Sequence, residues 1–472
     1  MNRLFFWSLT AALAGFLFGF DTIVISGAEK KIQSLWELGD FQHGLAMSMA
    51  LWGTVIGSLV GGWPTDMYGR KSTLLGIGIL YFASAVWSAL ANDVNSFMVA
   101  RFIGGIGVGI STVAAPLYIS EISPPQYRGR LAGMFQFNIV FGILIALVSN
   151  YLLGGLGETA WRWMLGVEAI PALIYSVMCF GLPQSPRWLI SRKNDLSKAT
   201  EVMQLLQPDV SASEIEQSVN EIVVALSTAS TASLEASSTP ASRSSIDSTE
   251  NPYRTPPTRS VESSSSSFWG GMKKPILLAF LIAFFNQLSG INAVLYFAPR
   301  IFEMTGLGEQ AALLQSVGIG LTNLLFTFVG LWLIDRLGRK TLLIIGSFGY
   351  IASLGFCAWA FFTENFGIVP ACIFSFIAAH AIGQGAVIWV FISEIFPDRH
   401  RANGQAFGCF THWIFAALLT LFFPKMVKLF EPGYVFGFFC LMMVLQLFWV
   451  LTMVPETKGR SLEQIQSDIG VA

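Results

Sequence analysis

Asp66-Met67-Tyr68-Gly69-Arg70-Lys71 and Asp335-Arg336-Leu337-Gly338-Arg339-Lys340 are two copies of one pattern, 269 positions apart. A second pair lies beyond them in the same order. Ile119-Ser120-Glu121-Ile122 with Arg128 matches Ile392-Ser393-Glu394-Ile395 with Arg401, and Glu121 and Glu394 are 273 positions apart. A third pair, Pro183-Gln184-Ser185-Pro186-Arg187 and Pro455-Glu456-Thr457-Lys458, is 272 positions apart. A near-constant shift at three sites implies a duplicated unit. In membrane carriers, such units face each other and place a ligand site at their interface, near the bilayer midplane.

The sequence between the motifs is apolar. Of 472 residues, 53% are hydrophobic and 12% charged, and the mean hydropathy is +0.60. Soluble domains carry about 25% charged residues, so this chain is built for lipid. One helix needs about 20 apolar residues to cross a bilayer core of about 30 Å. Apolar runs place spans at 4–28, 44–65, 72–91, 95–120, 130–153 and 160–182, then at 274–303, 310–335, 340–362, 367–393, 402–427 and 432–455. The expectation is an all-α membrane protein whose twelve transmembrane helices form two pseudo-symmetric six-helix bundles, 1–182 and 274–455. A connection, 183–273, joins them, and a tail, 456–472, follows.

Basic residues alternate from loop to loop. One set of loops holds Arg70, Lys71, Arg128, Arg130, Arg187, Arg192, Lys193, Arg336, Arg339, Lys340, Arg399, Arg401, Lys458 and Arg460. The other loops are short and of mixed charge, with Lys425 and Lys428 the only dissent. Both termini and the central connection are therefore expected on the cytoplasmic side. Within the connection, 195–226 has helical spacing and predicts short helices, while the Ser/Thr/Pro-rich 227–267 is expected to stay disordered. The first apolar stretch exceeds a signal-peptide core and lacks a cleavage pattern, so it is expected to be retained.

A net charge of −1 argues against a nucleic-acid partner. Cys179, Cys357, Cys372, Cys409 and Cys440 have no paired spacing and are read as small core residues. Nothing resembles a catalytic triad or a metal site, so neither an enzyme, a metal nor an organic cofactor is expected.

Three charges stand inside spans. Asp21 lies in the first, Arg101 opens the fourth, and Glu168 lies in the sixth. A carboxylate in hydrocarbon costs about 2.5–3.5 kcal/mol on insertion scales and by default marks an ion or proton route. The alternative is a structural acid satisfied by a neighbouring helix. The glycines at 104, 105, 107 and 109 follow no strand, so they indicate close helix packing and not a phosphate loop.

The charged signatures, with Tyr118-Ile119-Ser120-Glu121, Pro186-Arg187-Trp188-Leu189, Ser393-Glu394-Ile395-Phe396-Pro397 and Pro455-Glu456-Thr457-Lys458-Gly459, resemble the sugar porter family of the major facilitator superfamily. The resemblance covers the chain apart from the Ser-rich insert and is strongest to bacterial proton-coupled sugar symporters. It implies the major facilitator fold and symport of a monosaccharide (pentose, hexose or related polyol) with a proton as coupling ion. By resemblance, Asp21 takes and releases the proton, Arg101 pairs with it and Glu168 assists. Facilitative carriers of the family typically lack this pair of acids. Burial favours the neutral carboxyl and a guanidinium the charged one. Moving Arg101 relative to Asp21 would therefore alternate proton affinity with the side of access.

A sugar needs groups that donate and accept, together with aromatic faces. The seventh span offers Asn286, Gln287, Asn292 and Tyr296, broken by Gly290. Resemblance adds Gln136, Asn323, Trp389 and Trp413, and His412 stands where Gln or Asn is usual. His380 is read as a satisfied helix residue. The family's cytoplasmic latch maps onto Asp66, Arg70, Glu121, Arg128, Asp335, Arg339, Glu394 and Arg401, with Arg–Glu pairs across the halves in the outward-open state. Met67 and Gln184 replace the usual Arg and Glu, which predicts a weaker amino-terminal latch. Asn286 replaces a usual Gln, Ala386 a usual Pro, and Ile143 stands where xylose carriers have Gln. Expected partners are the sugar and the bilayer, with the protein a monomer in a bacterial inner membrane. A facilitative uniporter and a non-transporting sugar sensor are the alternatives.

Overall fold

The computed structural model describes residues 2–124, 127–208, 210–237, 272–397, 400–460 and 462–470. Among these, every regular element is a helix. Twelve membrane helices are labelled in chain order. In the first half they are α1 (Asn2–Val24), α2 (Asp40–Val60), α3 (Arg70–Leu90), α4 (Val94–Ile122), α5 (Arg128–Leu153) and α6 (Ala160–Gly166 with Ala169–Phe180). In the second half, α7 comprises Lys273–Leu288, Ile291–Tyr296 and Ala298–Glu303. It is followed by α8 (Glu309–Leu337), α9 (Arg339–Phe362), α10 (Val369–Ile382 with Gln384–Ile395), α11 (Arg401–Leu429) and α12 (Pro432–Met453). The apolar run Gly133–Phe180 is 48 residues long and contains both α5 and α6, which part at Gly157, where φ is +75°.

Local chemistry sets the helix ends. Gly69 and Gly338 occupy equivalent positions before α3 and α9, with φ of +88° and +91°. That left-handed backbone is why both motif copies carry glycine there. Asp93 caps α4 by accepting the N–H groups of Asn95 and Ser96 at 3.0 and 2.9 Å.

The duplication governs packing. In the first half α1 packs on α5, α2 on α4 and α3 on α6; in the second, α7 packs on α11, α8 on α10 and α9 on α12. Glycine permits the closest approaches. A Cβ on Gly105 of α4 would sit 1.9 Å from the Ala50 carbonyl of α2, so these glycines serve helix packing. Ile170, Leu173, Ile174 and Val177 form an exposed apolar stripe on α6, as expected for a face turned to lipid.

The halves meet through α2 with α11 and α5 with α8. For reference, the end carrying both termini and the repeated motifs is the motif end, and the other is the far end. One apolar core fills the second half and continues into the far-end parts of the first through Ile23, Met47, Phe97 and Trp161. A separate core fills the motif-end part of the first half around Leu17, Tyr81, Tyr118 and Tyr175. Gly44 of α2 packs so tightly on α11 that a Cβ would lie 1.9 Å from the Leu421 carbonyl. The molecule is thus sealed at the far end.

The connection contains helices Leu196–Leu206 and Ala212–Ser237. The second runs eleven residues into the stretch expected to be disordered, which corrects the boundary at 227. Its Ala-rich sequence explains why, since alanine is the strongest helix former. Residues 238–267 of that stretch lie outside the described residues.

Candidate functional site

The break in α6 falls beside Glu168, which precedes Ala169–Phe180 and aims its carboxyl into the first half. Asp21 of α1 and Arg101 of α4 meet it there, and the three are 0–1% exposed. Arg101 Nη1 donates to Asp21 Oδ1 at 2.6 Å, and Nη2 donates to the Asp21 backbone carbonyl at 2.7 Å. Asp21 Oδ2 and both Glu168 oxygens are buried without a hydrogen-bond partner among the described residues. Two neighbouring carboxylates have nothing to donate, so a donor from outside the pair, an added proton or a water, is what can bridge them. Gly104 lets α3 approach this site: a Cβ there would lie 2.4 Å from Ser84 Oγ.

The amides of α7 gather in the second half. Asn292 Nδ2 donates to Gln287 Oε1 at 2.6 Å, and Gln287 Nε2 donates to Asn286 Oδ1 at 2.9 Å. Gln287 Nε2 also lies 3.2 Å from the His412 ring nitrogens. His412 is flanked by Trp389 and Trp413, with ring centroids 5.0 and 4.8 Å away, and Trp413 meets Phe18 of the first half at 5.6 Å. This amide and aromatic wall can grip a hydroxylated ring. Gly290, at φ +89°, interrupts α7 between Gln287 and Asn292 and turns both amides to one side.

The remaining expected residues are spread wider. Asn323 is buried on α8, and Gln136 is half-buried on α5, across the interface. The buried Tyr296 hydroxyl lies within electrostatic range of Arg101 and Asp21, so it belongs between the two clusters more than among the amides. His380 is satisfied by the Tyr350 hydroxyl at 2.7 Å from Nδ1.

At the motif end, Arg70 and Arg339 pair within their own halves; pairing across the halves is the expectation for the outward-open state alone. Arg70 donates to both Glu121 oxygens at 2.9 Å and to Asp66 at 3.0 Å. Arg339 repeats this with Glu394 at 2.7 and 3.1 Å and with Asp335 at 3.5 Å. The reason is topological, since Arg70 starts α3 where its neighbour α4 ends. The two copies differ at the helix cap. Glu456 accepts the N–H groups of Arg339 and Lys340 at 2.9 and 3.1 Å, whereas Gln184 accepts only that of Lys71, at 3.3 Å. Arg401 is half-buried, and the Arg128 side chain lies outside the described residues.

Two groups went unnoticed in the sequence. Gln384 and Gln446 extend the amide cluster, with Gln384 accepting from Asn286 at 3.3 Å and donating to Gln446 at 2.6 Å. A lone amide in an otherwise apolar span was the available signal. At the far end, Arg300 binds Glu29 through two bonds of 2.8 Å and Gln33 through one of 2.6 Å. Lys428 pairs with Asp40 at 3.0 Å, Lys30 pairs with Glu303, and buried His43 brings Nε2 to 3.0 Å from Glu29. The Arg300, Lys428 and Lys30 pairs join the two halves.

The family model for sugar (and other) transporters matches residues 7–469. An arabinose-proton symporter of Bacillus subtilis (strain 168) is 32% identical, over 97% of this chain and 93% of its own. The glucose transporter GlcP of Staphylococcus epidermidis is 32% identical, over 98% of this chain and 96% of its own. Among solved structures, the partially occluded inward-open form of the xylose transporter XylE from E. coli superposes with a TM-score of 0.80. That likeness has 29% identity and covers 98% of this chain and 100% of the other.

Proposed function

This chain belongs to the sugar transporter family of the major facilitator superfamily, and from that membership we propose that it carries a monosaccharide together with a proton by alternating access. The observation that carries the reading is the buried Asp21–Arg101 pair, with an unbonded Asp21 oxygen beside an unbonded Glu168. A related arabinose carrier named as a proton symporter supports it. The basic loops support a motif end that faces the cytoplasm, in a cell membrane of the bacterial inner-membrane kind. The contacts between the halves at the far end and the likeness to a partially occluded inward-open structure support reading this as an inward-facing form.

The bundles 1–182 and 274–455 are the rocking units, joined by 183–273 and followed by the tail 456–472. The sugar lies against Gln287, Asn292, Trp389, His412 and Trp413, with Gln136 and Asn323 closing from the sides and the protein working as a monomer. The proton sits between Asp21 and Glu168. Tyr296, buried on the broken helix that carries the amides, supports a link between the sites. Sugar and proton then bias one two-state equilibrium, which is what coupling requires.

The test is uptake by proteoliposomes with simultaneous internal pH recording. Wild-type protein is expected to accumulate sugar against its gradient while the lumen acidifies. Asp21→Asn should lose accumulation entirely and keep sugar exchange. Uphill uptake by Asp21→Asn would refute proton coupling through this residue. Equilibration insensitive to collapse of the proton gradient in the wild type would identify a uniporter.

A further inference from the structure

Every carboxamide in the second half's cluster points the same way. Asn292 donates to Gln287, Gln287 to Asn286, Asn286 to Gln384, Gln384 to Gln446 and Gln446 Nε2 to Ser347 Oγ, the last at 2.8 Å. Ser347 completes the series by donating to the Leu343 carbonyl at 2.7 Å. The row crosses α7, α10, α12 and α9, and Asn286, Gln287, Gln384, Gln446 and Ser347 are all buried.

A carboxamide can turn over and exchange its donor for its acceptor, but only if both neighbours accept the exchange. The far terminus opposes it here, because reversal would cost Ser347 its bond to the Leu343 carbonyl. A serine hydroxyl has one proton, and Ser347 gives it to a backbone carbonyl of its own helix. Its oxygen can then only accept, so Gln446 must present its NH2. Gln446 therefore turns its oxygen to Gln384, which must present NH2 in turn, and the requirement passes along to Gln287. Reversing any interior amide would set oxygen against oxygen at one joint and NH2 against NH2 at the other. Each buried group left unpaired costs about 1–3 kcal/mol. At the near end, Gln287 spends one N–H on Asn286 and holds the other against His412; its Oε1 accepts from Asn292 and keeps one further lone pair.

We propose that Ser347, Gln446 and Gln384 are positioning residues that hold Gln287 with its oxygen toward the sugar, so that the site selects a hydroxyl able to donate there. This rests on the sugar site proposed above and adds the origin of its polarity. None of the three need touch sugar. They act through Asn286 and Gln287, and Ser347 is the residue that gives the row its direction.

The experiment uses full-length protein in proteoliposomes. The probe is whichever of radiolabelled D-xylose, L-arabinose or D-glucose the wild type takes up fastest, competed by its monodeoxy and monofluoro analogues. Fluorine can accept weakly but cannot donate. At the hydroxyl facing Gln287, the two analogues should compete equally poorly against wild type. In Ser347→Ala the row is free to reverse, so the fluoro analogue should regain several-fold over the deoxy one. The KM should rise about fivefold to tenfold with kcat little changed, the loss of roughly one hydrogen bond. Ser347→Thr keeps the hydroxyl and should restore the wild-type pattern. Gln446→Leu, near in volume, should match Ser347→Ala and serves if that variant does not fold.

Gln287→Ala separates the two readings. If it raises KM and abolishes discrimination at one hydroxyl while Ser347→Ala and Gln446→Leu leave the analogue ratio at its wild-type value, the positioning role is overturned and the sugar site stands. If Gln287→Ala itself leaves KM and competition unchanged, the sugar site is overturned.

Discussion

The charges at the two ends of the molecule are organised on opposite plans. At the motif end, Arg70 binds Glu121 and Arg339 binds Glu394, and each pair closes within its own half. At the far end, Glu29 binds Arg300 and Asp40 binds Lys428, and each pair joins the halves. The first plan is duplicated and ties neighbouring helices together inside each bundle. The second is not duplicated, because an interface between halves needs unlike partners, and it holds one state. Charges that build the fold and charges that choose the conformation are therefore separate sets.

The largest effect should come from the duplicated set. Arg70 and Glu121 are both buried, and removing one partner of such a pair costs about 3–5 kcal/mol. Arg70→Ala should cut the yield of folded protein and sharply lower its melting temperature in detergent. A variant that melts like the wild type would break the distinction.

Arg300→Ala should leave the fold intact and shift the conformational equilibrium. Glu29 is then a buried carboxylate without its guanidinium while the far end is sealed, so opening is favoured, by about tenfold or more. Spin labels at Leu35→Cys and Leu429→Cys, both exposed, should report a larger fraction of long distances. An unchanged distance distribution would remove Glu29–Arg300 from the gate.

Gln184→Glu sharpens the comparison within the duplicated set. It should recreate the two-bond cap that Glu456 makes, and raise stability by about 0.5–1 kcal/mol, seen as a small rise in melting temperature. The smallest effect belongs to Lys428→Ala. Lys428 is 73% exposed, and solvated pairs contribute about 0–1 kcal/mol, so the label distances should barely move and any shift should vanish in high salt.

What could be read from sequence follows the same division. The Asp66–Lys71 and Asp335–Lys340 copies, their glycines and the spans between them were legible because duplication writes each signal twice. Asp21, Arg101 and Glu168 were legible because a charge in an apolar run is conspicuous, and the structure brings all three together. Glu29 and Arg300 are 271 positions apart and unrepeated, so they looked like ordinary loop charges. Gln384 and Gln446 stood alone in apolar helices, and nothing local reveals that isolated amides on α10 and α12 touch. The latch residues were identified by motif, but their pairing within each half depends on which helices adjoin, which motif spacing does not encode.

Arg101 holds Asp21 at two points, and only one of them is the carboxyl. The bond to the backbone carbonyl is indifferent to the side chain, so a chain with asparagine at position 21 keeps its arginine anchored and its first helix in place. Loss of coupling and loss of the protein are therefore different events. On the coupling role proposed for Asp21, a single codon change would separate a carrier that accumulates from one that equilibrates.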